Sequence, residues 1–144
     1  MKLNLSELLN KKLLRKIPQD ESTAKALLAK AAKDIQAAED NFRTNNFDWS
    51  LAIAYNAMLS AGRALMVLKG YAPNSDSHHL AIVQYCAAVL IQDSSELVAA
   101  FNRYRIRRHD VVYGEEGSVG KEEAEKAIEN AKKFVQKIKE KVLR

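Results

Sequence analysis

The spacing of apolar residues between Ala24 and Phe42 constrains the fold more than any other feature of this chain. They recur at alternating steps of three and four residues, which places them on one face of an α-helix. The pattern predicts a helix from Glu21 to about Asn45. The same spacing between Ala124 and Val142 predicts another amphipathic helix, which runs to the C-terminus. Each helix must bury its apolar face against another element, so a packed helical bundle is expected.

The segment between Trp49 and Leu68 is apolar on most of its sides, and such a helix belongs in the centre of a bundle. Asp48 is a candidate N-cap and Gly70 follows the last helical residue, so a helix is predicted from Asp48 to Lys69. The segment is long enough to span a bilayer. Three polar residues lie well inside it: Asn56, Ser60 and Arg63. We therefore interpret it as a buried helix of a soluble protein and expect no membrane partner.

Two further helices are predicted between these segments and the C-terminal helix. One runs from His78 to Ile91, with its N-cap among three polar residues of the preceding loop: Ser75, Asp76 and Ser77. The other begins after Ser94 or Ser95 and ends near Tyr113, before a loop that contains three glycines.

A short helix is also expected within residues 1–17, where it is stopped by Pro18. The complete pattern predicts an all-α fold, an antiparallel up-down bundle of four to six helices with its core in residues 21–143 and no β-strand. A chain of 144 residues has the size of one domain, so a single domain over residues 1–144 is expected.

The single cysteine, Cys86, lies in an apolar segment and is expected to be a buried, unreactive thiol. The basic N-terminal segment lacks the apolar core of a secretory signal, which favours a cytoplasmic protein. The adjacent His78 and His79 point about 100° apart on a helix, so we interpret them as a helix start that packs against the loop. With no helical histidine pair four residues apart and no glycine-rich phosphate loop, we expect neither a metal site nor a cofactor.

Four arginines lie close together between Phe101 and Gly114. We call them the arginine cluster: Arg103, Arg105, Arg107 and Arg108. Two interpretations are open. The cluster is either a solvated helix face offset by the acids Asp110, Glu115 and Glu116, or a surface that binds phosphates while tyrosine rings stack on unpaired bases. The net charge of +5 suits a polyanionic partner but does not decide between the two.

The same segment has the groups that are needed to cleave RNA without a metal. A histidine can transfer the proton of the 2′-hydroxyl while arginines stabilise the charge on the phosphorane. Cationic neighbours should lower the pKa of His109 and keep it neutral, as a base requires. The predicted catalytic residues are therefore Arg108 for transition-state charge, His109 for proton transfer and Tyr113 for positioning. The predicted phosphate-binding residues are Arg103, Arg105 and Arg107.

Three stretches of the chain together resemble the HEPN family, small helical domains named for nucleotide binding in higher eukaryotes and prokaryotes. The family's long central helix and its exit resemble NFDWSLAIAYNAMLSAGRALMVLKGY, the histidine-bearing helix that follows resembles SDSHHLAIVQYC, and the signature segment resembles RIRRHDVVYG. The resemblance covers roughly Ala31 to Val142 and depends on the order and spacing of the three stretches. It implies the all-α HEPN-like bundle that the periodicity also predicts.

The family signature is an arginine, four to six residues of any kind and then a histidine, usually with a polar residue directly after the arginine. Two frames fit this chain. In the frame from Arg103 to His109, Tyr104 occupies the usually polar position. In the frame from Arg108 to Tyr113, His109 occupies the polar position and a tyrosine stands where the catalytic histidine belongs. The flanking residues align better with the second frame.

The resemblance implies a protein that binds RNA or nucleotide. Members with the full motif are commonly metal-independent endoribonucleases, often toxins, with a composite site formed across a homodimer. Members with an altered motif are often thought to bind without cutting. The sequence therefore suggests an RNA-binding homodimer that is a candidate endoribonuclease. A nucleotidyltransferase-type antitoxin is a possible partner of such a toxin. The alternatives are a non-catalytic partner subunit of a minimal nucleotidyltransferase, and a structural helical dimer whose basic face is only solvated.

Overall fold

The structure is a computed structural model that describes residues 3–74, 78–90, 94–114 and 117–143. This part of the chain forms six α-helices and two short β-strands. In chain order they are α1 (Leu5–Asn10), β1 (Leu14–Lys16), α2 (Glu21–Arg43), α3 (Phe47–Lys69), β2 (Tyr71–Pro73), α4 (His78–Val89), α5 (Ser95–Tyr113) and α6 (Lys121–Val142). The predicted all-α helical bundle is confirmed, and the strands are a small addition to it.

Helix α3 lies at the centre of the bundle and contacts α2, α4, α5 and α6. Helix α2 turns small residues towards the core, and Ala24, Ala31 and Ala38 are fully buried. The hydroxyl of Ser50 on α3 donates a hydrogen bond of 2.8 Å to the carbonyl oxygen of Ala38. Among the described helices α3 is the one that is long and apolar enough to cross a membrane, and 67% of its most apolar window is buried inside the bundle. That burial is expected of a core helix.

The ends of the long helices follow from their capping residues. The carboxylate of Asp20 accepts hydrogen bonds from the backbone N–H and the hydroxyl of Thr23, which starts α2 at Glu21 and lowers the pKa of Asp20. Gly70 ends α3 in the left-handed region, with φ of 88°, as the sequence predicts. The predicted caps of α4 and its predicted last residue, Ile91, lie outside the described residues. Ser94 is the N-cap of α5, but its side chain makes no capping hydrogen bond.

The prediction that the chain has no β-strand is wrong, and so is the helix predicted to continue as far as Pro18. Helix α1 ends at Asn10, and the backbone then turns through Lys12, whose φ is 58°. The next residues pair antiparallel with β2, with Leu14 opposite Pro73. Three-residue strands show no alternation of apolar and polar residues, and their partner lies far along the chain, so no local pattern reveals them.

Candidate functional site

The rotation of α5 about its axis is fixed by two side chains that enter the core. The ring of Phe101 is fully buried, with its centroid 5.7 Å from that of Tyr55 and 5.0 Å from that of Phe134. Tyr104 is also buried, and its hydroxyl accepts a hydrogen bond of 2.9 Å from the amide of Asn130 on α6. Because these contacts determine which face of α5 points inwards, they also determine where each arginine of the cluster lies.

Two arginines of the cluster face α6. Arg103 is exposed and lines a groove that also includes Lys126 and Asn130. The guanidinium of Arg107 binds both carboxylate oxygens of Glu123, at 2.8 and 3.1 Å, and donates to the carbonyl oxygen of Ser118 at 2.8 Å. Arg107 is therefore engaged within the protein by an acid on α6. Of the acids expected to offset the cluster, Glu115 and Glu116 lie outside the described residues.

The other two arginines, Arg105 and Arg108, lie on the side of α5 that faces α4. Nε of Arg105 donates a hydrogen bond of 3.1 Å to the side-chain oxygen of Asn102. Nε of Arg108 is buried and has no hydrogen-bond partner among the described residues. A buried guanidinium N–H without an acceptor is unfavourable by about 1–3 kcal/mol, so this side chain gains from any turn that brings the N–H to an acceptor.

His79 on α4 and Tyr55 on α3 complete this side of the bundle. Nδ1 of His79 and the hydroxyl of Tyr55 share a hydrogen bond of 3.0 Å, and their rings lie 5.7 Å apart. The pKa of His79 is lowered, first by burial and then by the positive charges of Arg108, His78 and Arg105. Burial raises the pKa of Tyr55, so its hydroxyl keeps its proton. We call Tyr55, His79, Arg105 and Arg108 the α4–α5 site.

Sequence reasoning missed two residues of this site. From the sequence, His79 is expected at a helix start, and Tyr55 lies within the segment that is expected to form the buried central helix. The signal that could have found them is a polar side chain within a helix predicted to be buried. A histidine or tyrosine that faces a core needs a hydrogen-bond partner there. Their contact joins residues 24 positions apart, which no local spacing displays.

Asp48 has a different role from the predicted one. Helix α3 begins at Phe47 with Asn46 as its N-cap, so Asp48 does not cap it. Its carboxylate instead accepts hydrogen bonds from two backbone N–H groups of the α5–α6 loop, from Gly117 at 2.6 Å and from Val119 at 3.0 Å. These bonds hold the loop that follows α5 against the start of α3, and they help to keep the end of α5 in place.

Comparison with known proteins agrees with this architecture. The HEPN domain model matches residues 24–141, which is most of the chain. The chain belongs to the HEPN family. The resemblance noted over roughly Ala31 to Val142 is thereby confirmed, and it connects the protein in general terms with nucleotides or RNA. A comparison with curated proteins found no match.

The two frames of the HEPN signature differ in where their first arginine lies. In the frame that starts at Arg103, this arginine faces α6 and is on the other side of α5 from His79. In the frame that starts at Arg108, this arginine lies in the α4–α5 site, next to His79 and Tyr55. The structure thus places the first arginine of the second frame, and not that of the first frame, close to the polar groups His79 and Tyr55. That frame ends in Tyr113.

His109 and Tyr113 lie on the outer side of this HEPN helix. Their rings are 5.0 Å apart, as expected for residues four positions apart on one face. Both are exposed, and Tyr113 is exposed by 73%. The predicted site residues therefore form three groups: Arg103 and Arg107 towards α6, Arg105 and Arg108 towards α4, and His109 with Tyr113 on the surface.

An anion in the α4–α5 site should raise the pKa of His79. In the free protein this pKa lies below the ordinary value of 6.5, so the imidazole is neutral near pH 7. A bound anion offsets the charges of Arg105 and Arg108 and favours the imidazolium. Histidine NMR titrations with and without sulfate measure the shift, since sulfate does not itself titrate near neutral pH.

Two controls accompany this titration. The Arg108→Gln variant should show a higher starting pKa for His79 and a smaller response to sulfate. The ring of the exposed His78 serves as an internal reference and should respond less. An unchanged pKa of His79 in saturating sulfate would show that no anion binds beside it.

Because the lowered pKa of His79 means that unfolding takes up a proton, the free energy of unfolding should also fall as the pH drops below about 6.5.

Proposed function

We propose that this HEPN protein binds RNA and that Arg105 and Arg108 hold its phosphates in the α4–α5 site. The observation that carries the proposal is that Arg105 and Arg108 both lie beside His79 while neither pairs with a carboxylate of the described residues. A phosphate oxygen is the acceptor that a guanidinium binds best, because it adds charge to the hydrogen bond and suits the planar fork. The guanidinium of Arg107, in contrast, is already bound by the carboxylate of Glu123.

The surroundings of the site support a negatively charged ligand. The described residues that line the groove containing Arg105 include no carboxylate. The neutral state of His79 leaves it able to donate one hydrogen bond through a ring N–H without adding a further positive charge. The exposed Arg63 on α3 lies close enough to His78 to lower its pKa, second to burial, and it extends the positive potential along this side.

Binding without rapid cleavage is the function that this arrangement supports best. In the frame that starts at Arg108, the position of the proton-transferring histidine is taken by Tyr113. A phenol holds its proton too firmly to be a good proton shuttle at neutral pH. An endoribonuclease would have to use His109 instead. Cleavage of RNA in EDTA by the wild type, abolished in the His109→Ala variant, would show that the protein is an enzyme and that binding is only part of its function.

The Arg108→Gln variant tests the proposal directly. Its affinity for single-stranded RNA should fall by roughly tenfold at low salt, because a charged contact to phosphate is lost. The slope of log affinity against log salt should also decrease by about one. Fluorescence anisotropy with a labelled oligonucleotide measures both quantities.

Arg43→Gln is the matched control for that experiment. Arg43 is exposed on α2, where it pairs with Asp40, so its replacement removes the same charge far from the site. Its RNA affinity should stay within about twofold of the wild type, since it contributes only to the general field. Equal losses in Arg108→Gln and Arg43→Gln would show that RNA responds to net charge alone, and no binding by the wild type at low salt would overturn the proposal.

We further propose that the protein acts as a homodimer through the outer face of α5. Ile106 is exposed by 53% and Tyr113 by 73%, and they lie seven residues apart, on the same face of the helix. Trp49 near the start of α3 is exposed by 59%. Large apolar side chains in such positions are typical of protein–protein contacts.

An Ile106→Asp substitution should dissociate the dimer. The new charge would be buried in the interface without a partner, so the variant is expected to sediment as a monomer at concentrations where the wild type is a dimer. Analytical ultracentrifugation measures this, and the exposed Ala26→Asp on α2 is a control that adds the same charge elsewhere. A wild type that sediments as a monomer would overturn the homodimer and would leave this face free for a different partner, such as a nucleotidyltransferase.

A further inference from the structure

The outer side of α2 and α6 carries opposite charges at its two ends. Two grooves run between these helices, with volumes of about 570 and 260 Å³. Lys25 and Lys139 line the first groove, and Glu39 and Glu125 line the second. Lys132 lines both grooves, so it lies between the two pairs. One end of this surface is therefore basic and the other is acidic.

The charges have the same spacing on both helices. Each helix has a lysine and a glutamate seven residues to either side of a central residue, which is Ala32 on α2 and Lys132 on α6. Residues seven apart lie on the same face of a helix. Because the two helices run in opposite directions, both lysines come to one end and both glutamates to the other. We call this surface the α2–α6 face, and it consists of Lys25, Ala32, Glu39, Glu125, Lys132 and Lys139.

Contacts within the chain leave the basic end positive. Among the described residues, no carboxylate lines its groove. Lys25 pairs at 3.0 Å with Glu21, but both side chains are more than half exposed, and such pairs contribute little to stability. Lys139 is exposed in the last turn of α6. Both lysines can therefore meet acids of a second protein chain.

The acidic end keeps its charge in the same way. Glu39 pairs with Lys132 at 3.1 Å, which offsets the positive charge at the centre of the face. Glu125 and Glu129 are exposed beside them. Arg43 also lines this groove, but it pairs with an acid of its own helix. The exposed carboxylates give this end the charge that the basic end lacks.

The first groove is apolar between these charges. Ala29 and Ala32 are exposed on α2, and Ile35 is half-buried beside them. Leu143, which follows α6, is exposed by 49% and lines the same groove. Alanines leave room for another helix to approach closely, and burial of this apolar surface would favour a contact.

We propose that two copies of this chain pack their α2–α6 faces together about a two-fold axis that passes near Ala32. The rotation turns one copy end for end, so the basic end of each copy meets the acidic end of the other. The reverse arrangement is excluded because it brings like charges together. The two grooves of the face are lined by no residue of α5, so this contact is separate from the α5 dimer and joins such dimers into larger assemblies. It does not depend on RNA binding.

The contact should be weak, because its face is small. The charges from residue 25 to residue 39 extend over about 21 Å of helix, which gives less area than a standard interface. We expect a Kd on the order of 100 μM. The Ile106→Asp variant removes the α5 contact, and in sedimentation equilibrium it should be a monomer at about 1 μM and a dimer at about 1 mM. A monomer at about 1 mM would overturn the proposal, whether or not α5 forms a dimer in the wild type.

Charge exchange between Lys139 and Glu125 tests which ends meet. Added to Ile106→Asp, Lys139→Glu and Glu125→Lys should each weaken self-association by roughly tenfold or more, because each places like charges together at two symmetry-related positions. Mixed in equal amounts, the two variants should associate as tightly as Ile106→Asp alone, since both positions then have opposite charges. A mixture that remains monomeric, or a Lys139→Glu variant that associates without loss, would overturn the proposal.

Lys141→Glu is the matched control for the charge exchange. Lys141 is exposed two residues beyond Lys139, which places it about 200° around α6 and away from the face. Its replacement should change the self-association of Ile106→Asp by less than about twofold. A loss equal to that of Lys139→Glu would show that association follows net charge and not the α2–α6 face, and would overturn the proposal.

Cross-linking tests the position of the two-fold axis. In a protein with Ala32→Cys, a short bismaleimide should join two copies at about 1 mM protein, because the axis brings position 32 of both copies together. The buried thiol of Cys86 should not react. Ala26→Cys, on a different side of α2, is the control and should not be joined. No product from Ala32→Cys, or equal products from both variants, would overturn the proposal.

Discussion

Replacing Phe101 with alanine should lower the free energy of unfolding by about 3–5 kcal/mol. The ring is fully buried and packs against the rings of Tyr55 and Phe134, so its loss removes apolar surface and leaves a cavity between α3, α5 and α6. The two surrounding rings belong to α3 and α6, long helices that cannot collapse into the space without moving apart elsewhere. Urea unfolding followed by circular dichroism measures the change.

Phe42→Ala is the matched control for this substitution. Phe42 is only partly buried and its ring contacts that of Phe47, so the same chemical change should reduce stability by clearly less than in Phe101→Ala. Because Phe101 also sets the rotation of α5, Phe101→Ala should weaken RNA binding even where the protein remains folded. A loss of stability equal to that of Phe42→Ala would show that α5 does not depend on this ring.

Replacing Gly62 with alanine should destabilise the protein by about 1–3 kcal/mol, although alanine favours a helix by about 1 kcal/mol over glycine. A Cβ at this position would lie 2.7 Å from Cγ2 of Ile82 and 3.2 Å from Sγ of Cys86. Both neighbours are fully buried on α4, so the clash pushes α4 away from α3. Glycine is needed at this position because α3 and α4 approach each other closely there. Urea unfolding measures the loss of stability in the Gly62→Ala variant.

Two variants show whether the clash is the cause. Gly120→Ala places a Cβ where no atom lies within 4 Å, so its stability should change by less than about 1 kcal/mol. Ile82→Ala removes the side chain that the new Cβ would meet, so the double variant with Gly62→Ala should lose less stability than the sum of the two single losses. Additive losses would show that the side chain of Ile82 is not the source of the clash, and a Gly62→Ala protein more stable than the wild type would show that α4 moves away at no cost.

The packing of α4 against α3 also explains why the thiol of Cys86 is expected to be unreactive, as the sequence predicts. Cys86 is fully buried next to Gly62, and burial raises the pKa of its thiol to about 12. The thiolate is therefore absent near neutral pH. Destabilising substitutions at position 62 should make this thiol accessible to thiol reagents, which gives a second readout of the same displacement.

Much of the fold was predictable because helix formation leaves a local signal. The apolar spacing in α2 and α6 identified both helices, with an error of two residues at the end of α2. The left-handed Gly70 marked the end of α3, since glycine alone adopts that conformation without strain. Asp48 was misassigned because an aspartate near a helix start either caps that helix or binds another segment, and only the tertiary structure brings Gly117 and Val119 to its carboxylate.

The pairing of β1 with β2 was not predictable from local pattern. Leu14 and Pro73 are brought together by the turn after α1 and by the end of α3, and neither strand alone has enough residues to show alternation. The contact of Tyr55 with His79 has the same origin, since it joins two helices that cross only in the packed bundle.

The chain's own pattern was enough to determine its helices, its family and the segment that carries the arginines, because periodicity and motif order are properties of contiguous residues. The pattern could not determine which arginines of the cluster lie on the same side of α5. That depends on the rotation of α5, which Phe101 and Tyr104 set by packing against other helices. Only the folded bundle brings Arg107 to Glu123 and Arg108 beside His79. It gives Arg107 a carboxylate partner and leaves Nε of Arg108 without an acceptor among the described residues.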